Sequence, residues 1–261
     1  MSDEDRIAYA LWARDERAQD RRRSAATPAS STTPVGVLDR SVSILDAVER
    51  GERSFGAIVA ATGLPKPTVH RLIASLEAHG FLFHVGGLGY ALGPRLLQLA
   101  STAMRELPLR QLARPVLEHL ARTTGESTQL YVRRLDRRIC VDAVESENEL
   151  RTIVPIGASL PLDKGSAGKV FLAWGQVPDG MNTDDIATSL QTARRRGWAD
   201  SYGERERGVA SVSAPVFGQL DEVVAAVSVS GPQARLSGQG AKRYGPAVVE
   251  AAREIEALLG G

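Results

Sequence analysis

The chain has one cysteine, Cys140, in 261 residues, which excludes an internal disulfide framework and fits a reducing compartment. It has no apolar run near the ~20 residues that a membrane-spanning helix needs. Its charged start does not read as a signal peptide, so a cytoplasmic protein with no membrane partner is expected. Excess charge is also lacking: 32 Lys and Arg stand against 31 Asp and Glu, a net +1. That balance excludes a generic polybasic coat for nucleic acid, so any DNA binding must be local and sequence-directed. All four histidines, His70, His79, His84 and His119, precede residue 125. The C-terminal half therefore lacks a Ser-His-Asp or Cys-His pair of its own, and it lacks Cys/His metal-ligand spacing. No catalytic residue, metal or cofactor is assigned. Lys164 and Lys169 keep an enzymatic reading open, but a sensor reading fits that half better.

What the chain does have is concentrated in residues 54–93. Phe55, Ile58 and Val59 repeat at helical spacing, as do Val69, Leu72, Ile73 and Leu76, so two short helices each bury one face. Thr62-Gly63-Leu64 supplies a tight turn between them, and Pro65 and Pro67 fall where a missing N–H is tolerated. Opposite the second apolar stripe lie Lys66, Thr68, His70, Arg71 and Ser75. Residues 81–92 read as two short strands around Gly86-Gly87-Leu88-Gly89. This is the layout of a winged helix-turn-helix, with double-stranded DNA as its candidate partner. No acidic residue lies between Glu52 and Glu77, nor from Ala78 to Arg105, so nothing in these stretches repels phosphate.

A helix over 38–49, with Leu38, Val42, Leu45 and Val48 inward, should complete a three-helix core. Residues 94–107 (Leu96, Leu97, Ala100, Met104) and 108–123 read as two connecting helices. Residues 1–34 stand apart, with six acids balancing six arginines. Arg21-Arg22-Arg23 could touch phosphate beside the main site or belong to a solvated tail, and 24–34 has the composition of a flexible linker.

From about residue 125 the texture changes. Strands are expected at 128–134 and 139–144 around Leu135-Asp136-Arg137, at 151–155, at 211–217 and at 223–230. Helices are expected from 166, over 183–196, and over 240–259 with Val248, Val249, Ala252, Ile255 and Leu258 on one face. Strands clustered with flanking helices make an α+β domain. The segment Asp163–Lys169 opens a helix whose N–H groups could hold a carboxylate, or it is a helix capped by Asp163 or Ser166. Ser228 and Ser230, two apart, share one face.

Leu38-Asp39-Arg40-Ser41-Val42, Gly63-Leu64-Pro65-Lys66-Pro67-Thr68-Val69-His70-Arg71-Leu72 and Tyr90-Ala91-Leu92-Gly93 resemble, in order and spacing, the DNA-binding domain of IclR-type transcriptional regulators. Pro155-Ile156-Gly157-Ala158-Ser159-Leu160-Pro161, Gly168-Lys169-Val170-Phe171, Arg196-Gly197-Trp198, Gly208-Val209-Ala210 and Val227-Ser228-Val229-Ser230-Gly231-Pro232 resemble the same family's effector-binding domain. The resemblance covers about residues 35–261. It implies a DNA-binding regulator, more a repressor than an activator, whose operator affinity is modulated by a small metabolite, and it implies a homodimer or a dimer of dimers.

The division so expected is an arm at 1–34, a winged helix-turn-helix at 35–93, a helical linker at 94–124 and a GAF-like α+β domain at 125–261. The implied DNA contacts are Lys66, Pro67, Thr68, His70, Arg71, Ser75 and Arg40. The implied effector contacts are Thr152, Leu160, Ser166, Ala167, Ser201, Val209, Ser211, Ser228 and Ser230, around a ligand that could be a carboxylate. The chain departs from its relatives at Ser211, where several carry cysteine, near Ser201, where an acid is common, and at Pro67, where Ser or Ala is more usual. The alternative is a non-regulatory ligand-binding protein or enzyme whose N-terminal helices serve assembly.

Overall fold

The computed structural model describes residues 36–236 and 238–260, so the N-terminal arm, with Arg21-Arg22-Arg23, lies outside the described residues. The chain forms two compact units that divide between Glu106 and Leu107.

In the first unit, α1 (Val37–Glu49), α2 (Phe55–Thr62) and α3 (Lys66–Ala78) precede the hairpin β1 (Leu82–Val85) and β2 (Gly89–Leu92), and α4 (Pro94–Glu106) follows. The core joins Ile44, Val48, Ile58, Val69, Leu72, Ile73, Leu76 and Leu82. The stripe expected on α3 is buried in full. On α1 the expected face is rotated: Leu38 is 75% and Val42 38% exposed, while Ile44 and Ala47 are buried with Val48 and Leu45 is partly covered. The apolar residues of α1 extend further round the helix than its contact with α2 and α3, so the spacing placed Leu45 and Val48 correctly but not Leu38 and Val42. Gly63 ends α2 in the left-handed region at φ 65°, and it lets the chain reverse into α3 within three residues. The hairpin pairs Leu82 with Leu92 and Val85 with Gly89. It is fixed to the helices by backbone: Tyr90 donates its N–H to the Arg53 carbonyl at 2.7 Å, and Gly93 donates to Phe81 at 2.7 Å.

The second unit opens with α5 (Pro108–Thr124) and builds an antiparallel sheet of β3 (Ser127–Arg134), β4 (Arg137–Val144), β5 (Ser159–Pro161), β6 (Ala199–Tyr202), β7 (Val209–Phe217) and β8 (Val223–Pro232). The strand order is β5-β4-β3-β8-β7-β6. One face packs on α5 and on α9 (Gln239–Gly260), with the short α8 (Gln233–Leu236) beside them; the other packs on α6 (Ser166–Trp174), behind which lies α7 (Ala187–Arg196). The two-residue period of the strands sorts the side chains between these layers. Leu130, Val212, Ala214, Val227 and Val229 join the α5/α9 core, whereas Tyr131, Cys140 and Ala226 join the α6 core.

The two expected connecting helices fall in different units, with Leu107, the end of the 94–107 segment, already in the second. α5 is a core helix, burying Leu109, Ala113, Val116, Leu117 and Leu120, while α4 leaves Leu97 and Leu99 exposed within its own unit. No strand forms at 151–155; the third strand of this region is β5. β6 had no reading of its own, because ADSY carries neither alternation nor an apolar run. On α9 the outer apolar contact is made by Leu259, and Leu258 is exposed, contrary to the expected stripe.

Candidate functional site

The first candidate site is the outer face of α3. Its start is bare: Pro65 is the N-cap with no side-chain cap, and Pro67 removes one backbone donor from the first turn. Lys66, Pro67, His70, Arg71 and Ser75 are exposed and Thr68 is half-buried, so the residues read from the sequence share one solvent-facing surface. His70 is steadied by an edge-on contact with Phe55, ring centroids 6.3 Å apart. Arg40 stands on α1, half-buried.

The second site is a small cleft, open to solvent on one side, between the sheet and the start of α6. Alternation places Ser211 and Ser213 of β7, and Ser228 and Ser230 of β8, on the α6 side of the sheet. The first three form a chain with Ser166, and Ser230 bonds separately. Ser166 Oγ lies 2.7 Å from Ser211 Oγ and 2.6 Å from Ser213 Oγ, Ser213 donates to Ser228 at 2.9 Å, and Ser230 donates to Gln129 Oε1 at 3.0 Å. Of the residues implied by resemblance, Ser166, Ala167, Ser201, Val209, Ser211, Ser228 and Ser230 line the cleft. Thr152 and Leu160 do not line it. Thr152 is buried nearby, with Val154 taking the wall position two residues on, and Leu160 packs into the α6 core.

The cleft wall also holds Gly165, from the Asp163–Lys169 segment, and residues that sequence reasoning missed: Tyr131, Arg138, Val154, Arg205 and Glu206. Arg138 is 3% exposed. Burial pushes its guanidinium down to about 10, from the usual 12.5. Nη1 donates to the carbonyls of Pro161 and Lys164, the latter at 2.8 Å. Two glycines lie against the guanidinium: a Cβ on Gly165 would lie 2.8 Å from Nη2, and one on Gly168 would lie 2.9 Å from Nη1, although Gly168 is required first by the Leu162 carbonyl oxygen at 2.2 Å. The Tyr131 phenol is raised by its burial. Cys140, behind it, is pushed up to about 12, first by burial and then by the Asp142 carboxylate.

The start of α6 departs from the capping reading of DKGSAGK. Neither Asp163 nor Ser166 caps the helix; Gly165 is the N-cap and contributes no side-chain bond. The Gly165 N–H donates to Glu204 Oε2 at 3.0 Å, from the loop after β6, and the other oxygen of Glu204 pairs with Lys169. Lys169, 5% exposed, also donates to the Asp200 carbonyl at 3.0 Å.

A winged helix-turn-helix with an exposed basic helix face, and an α+β unit with a hydroxyl-lined cleft, define a ligand-responsive DNA-binding regulator. The family description "IclR helix-turn-helix domain" matches residues 37–85, and "Bacterial transcriptional regulator IclR C-terminal" matches residues 101–183 and 180–257. The chain belongs to the IclR family of bacterial transcriptional regulators. It is 30% identical over 264 residues to the transcriptional repressor IclR of Escherichia coli, covering 92% of this chain and 96% of that protein. An IclR family transcriptional regulator from Brucella abortus has a similar structure, with a TM-score of 0.75, 25% identity, and coverage of 87% of this chain and 94% of that one. So has an IclR homolog from Microbacterium hydrocarbonoxydans, crystallised with 4-hydroxybenzoate, with a TM-score of 0.66, 25% identity, and coverage of 86% and 99%. The protein is accordingly a DNA-binding transcriptional regulator with an effector-binding C-terminal domain. Among the described residues no helix is long and apolar enough to cross a membrane.

Proposed function

We propose that the protein is a cytoplasmic, non-enzymatic repressor that acts as a homodimer or a dimer of dimers. Two copies of α3 enter successive major grooves of a pseudo-palindromic operator. Thr68, His70 and Arg71 reach base edges or phosphates. Lys66, Pro67, Ser75, Arg40 and the hairpin track the backbone, which sets register without reading sequence. A small carboxylate in the cleft, contacted by Ser166, Ala167, Ser201, Val209, Ser211, Ser228 and Ser230, changes operator affinity by binding the competent and incompetent arrangements unequally. Thr152 and Leu160 support the wall from behind.

The observation that carries this reading is that one chain combines the exposed Lys66–Arg71 face with a polar cleft in a separate unit. The 4-hydroxybenzoate bound by the Microbacterium homolog supports a carboxylate as the ligand class. The test is a gel shift with the DNA upstream of the protein's own gene, in physiological salt with excess unrelated competitor. A discrete complex that survives competitor and weakens with Arg71→Ala is expected. Competitor-sensitive smearing across a genomic fragment library, with and without pooled metabolites, would end the reading and favour a ligand-binding protein with another task.

A further inference from the structure

Positive charge is placed against the cleft in two ways, and only one of them is satisfied by the protein itself. The N–H at the start of α6 and the Lys169 ammonium are both met by Glu204. Arg138 is not met by an acid. Among the described residues no carboxylate lies within ion-pair distance of it, its bonds go to two backbone carbonyls, and its buried Nε has no partner. A cation held away from water without a counter-charge is costly, and a buried N–H left unpaired adds to that cost. The Tyr131 ring, 5.5 Å away, offers a weak attraction and no net charge. Of the charges around it, Arg205 in the wall adds repulsion, and Asp163 attracts it from beyond ion-pair distance.

Resting on the ligand-cleft reading above, we propose that Arg138 is the residue that recognises the ligand's charge, and that it selects a monoanionic carboxylate over neutral analogues. At the start of α6 the Gly165 N–H is already met by Glu204, so among the described residues Arg138 is the buried cation in the wall that no acid pairs. One guanidinium matches one carboxylate, the free Nε–H supplies a charge-assisted bond, and the serine hydroxyls take the remaining polar atoms. Val154 and Val209 give the uncharged remainder an apolar wall.

The experiment uses the full-length protein, with benzoate and 4-hydroxybenzoate as probes against benzamide and 4-hydroxybenzamide at constant ionic strength, read by calorimetry and thermal shift. The acids should bind about tenfold or more tightly than the amides. Arg138→Gln should abolish that preference, and Glu204→Gln should leave it in place. In the unmodified protein the Arg138 Nε–H resonance should move on benzoate addition, a readout that does not depend on the variant folding. Amides binding as well as acids would leave the cleft as a ligand site and overturn the role of Arg138. A preference that survives Arg138→Gln, or a stationary Nε–H resonance with acid bound, would overturn it too. So would failure of both acids to bind, and the operator gel shift would then report separately whether the regulator reading still stands.

Discussion

α3 and α6 carry the two candidate sites, and they begin in opposite ways. α3 starts in solvent behind an uncapped Pro65, with lysine, histidine and arginine around an end that the protein leaves open. α6 starts in the interior, buried from Ser166 to Ala173, with its leading N–H and its lysine both closed off by Glu204. The helix dipole is the same device in both. Its surroundings decide the use: an open start among cations suits an extended polyanion from outside, while a start partly met by an internal carboxylate suits a small cleft.

Closing that difference from the α6 side should have the largest effect. Glu204→Ala leaves Lys169 buried without a counter-charge, holding only the Asp200 carbonyl, and should cost about 2–3 kcal/mol in urea unfolding of the C-terminal unit, less than the ~3–5 kcal/mol of a fully buried pair because the Glu204 side chain is 30% exposed. Lys169→Met should cost less, since Glu204 can turn to water and keep the Gly165 N–H. On the α3 side the loss should fall on binding and not on folding. Arg71→Ala should weaken operator binding about tenfold, or more if it contacts a base, with an unchanged melting curve. Salt sharpens the contrast. Operator affinity should fall steeply with added salt, by a log–log slope of about 0.9 per phosphate contacted, while carboxylate binding at the buried Arg138 should barely move. Gly63→Ala is milder. Nothing lies within 4 Å of the added methyl, so only the left-handed backbone penalty remains, about 1 kcal/mol by thermal melting. The smallest effect is an absence of reaction. With its thiol pushed up to about 12, above its ordinary value, Cys140 holds less thiolate at pH 8 than a free cysteine and should stay unmodified by iodoacetamide until the protein unfolds.

The first unit was legible because its signals are local. The α3 stripe, the Gly63 turn and the glycine hairpin each lie within a dozen residues, and each fixes its own neighbours. The α1 stripe failed where more apolar positions were offered than the partners could cover. In the second unit the serines of β7 and β8 were legible as one face, since a two-residue period needs no tertiary knowledge. Arg138 was not. In β4 the polar set Arg138, Cys140, Asp142 alternates with Ile139 and Val141, which ordinarily puts the polar side chains in water. Both faces of this sheet are covered, so the polar set is the more buried one. Asp142 meets Arg114 of α5 at 3.0 Å, helped by a bulge at Val141 that shifts the pairing with β3. The Glu204 bond spans 39 residues and leaves no periodic trace in the chain.

The hydroxyl chain Ser211–Ser166–Ser213–Ser228 has a consequence for how such a cleft could change its taste. Each hydroxyl is a rotor that can give or accept a proton, and turning one reverses the next, so the row has no fixed polarity. An incoming group that donates can be met as well as one that accepts, with no side chain exchanged. New specificities on this scaffold can therefore arise from changes in size around the row, while the hydrogen-bonding surface stays as it is.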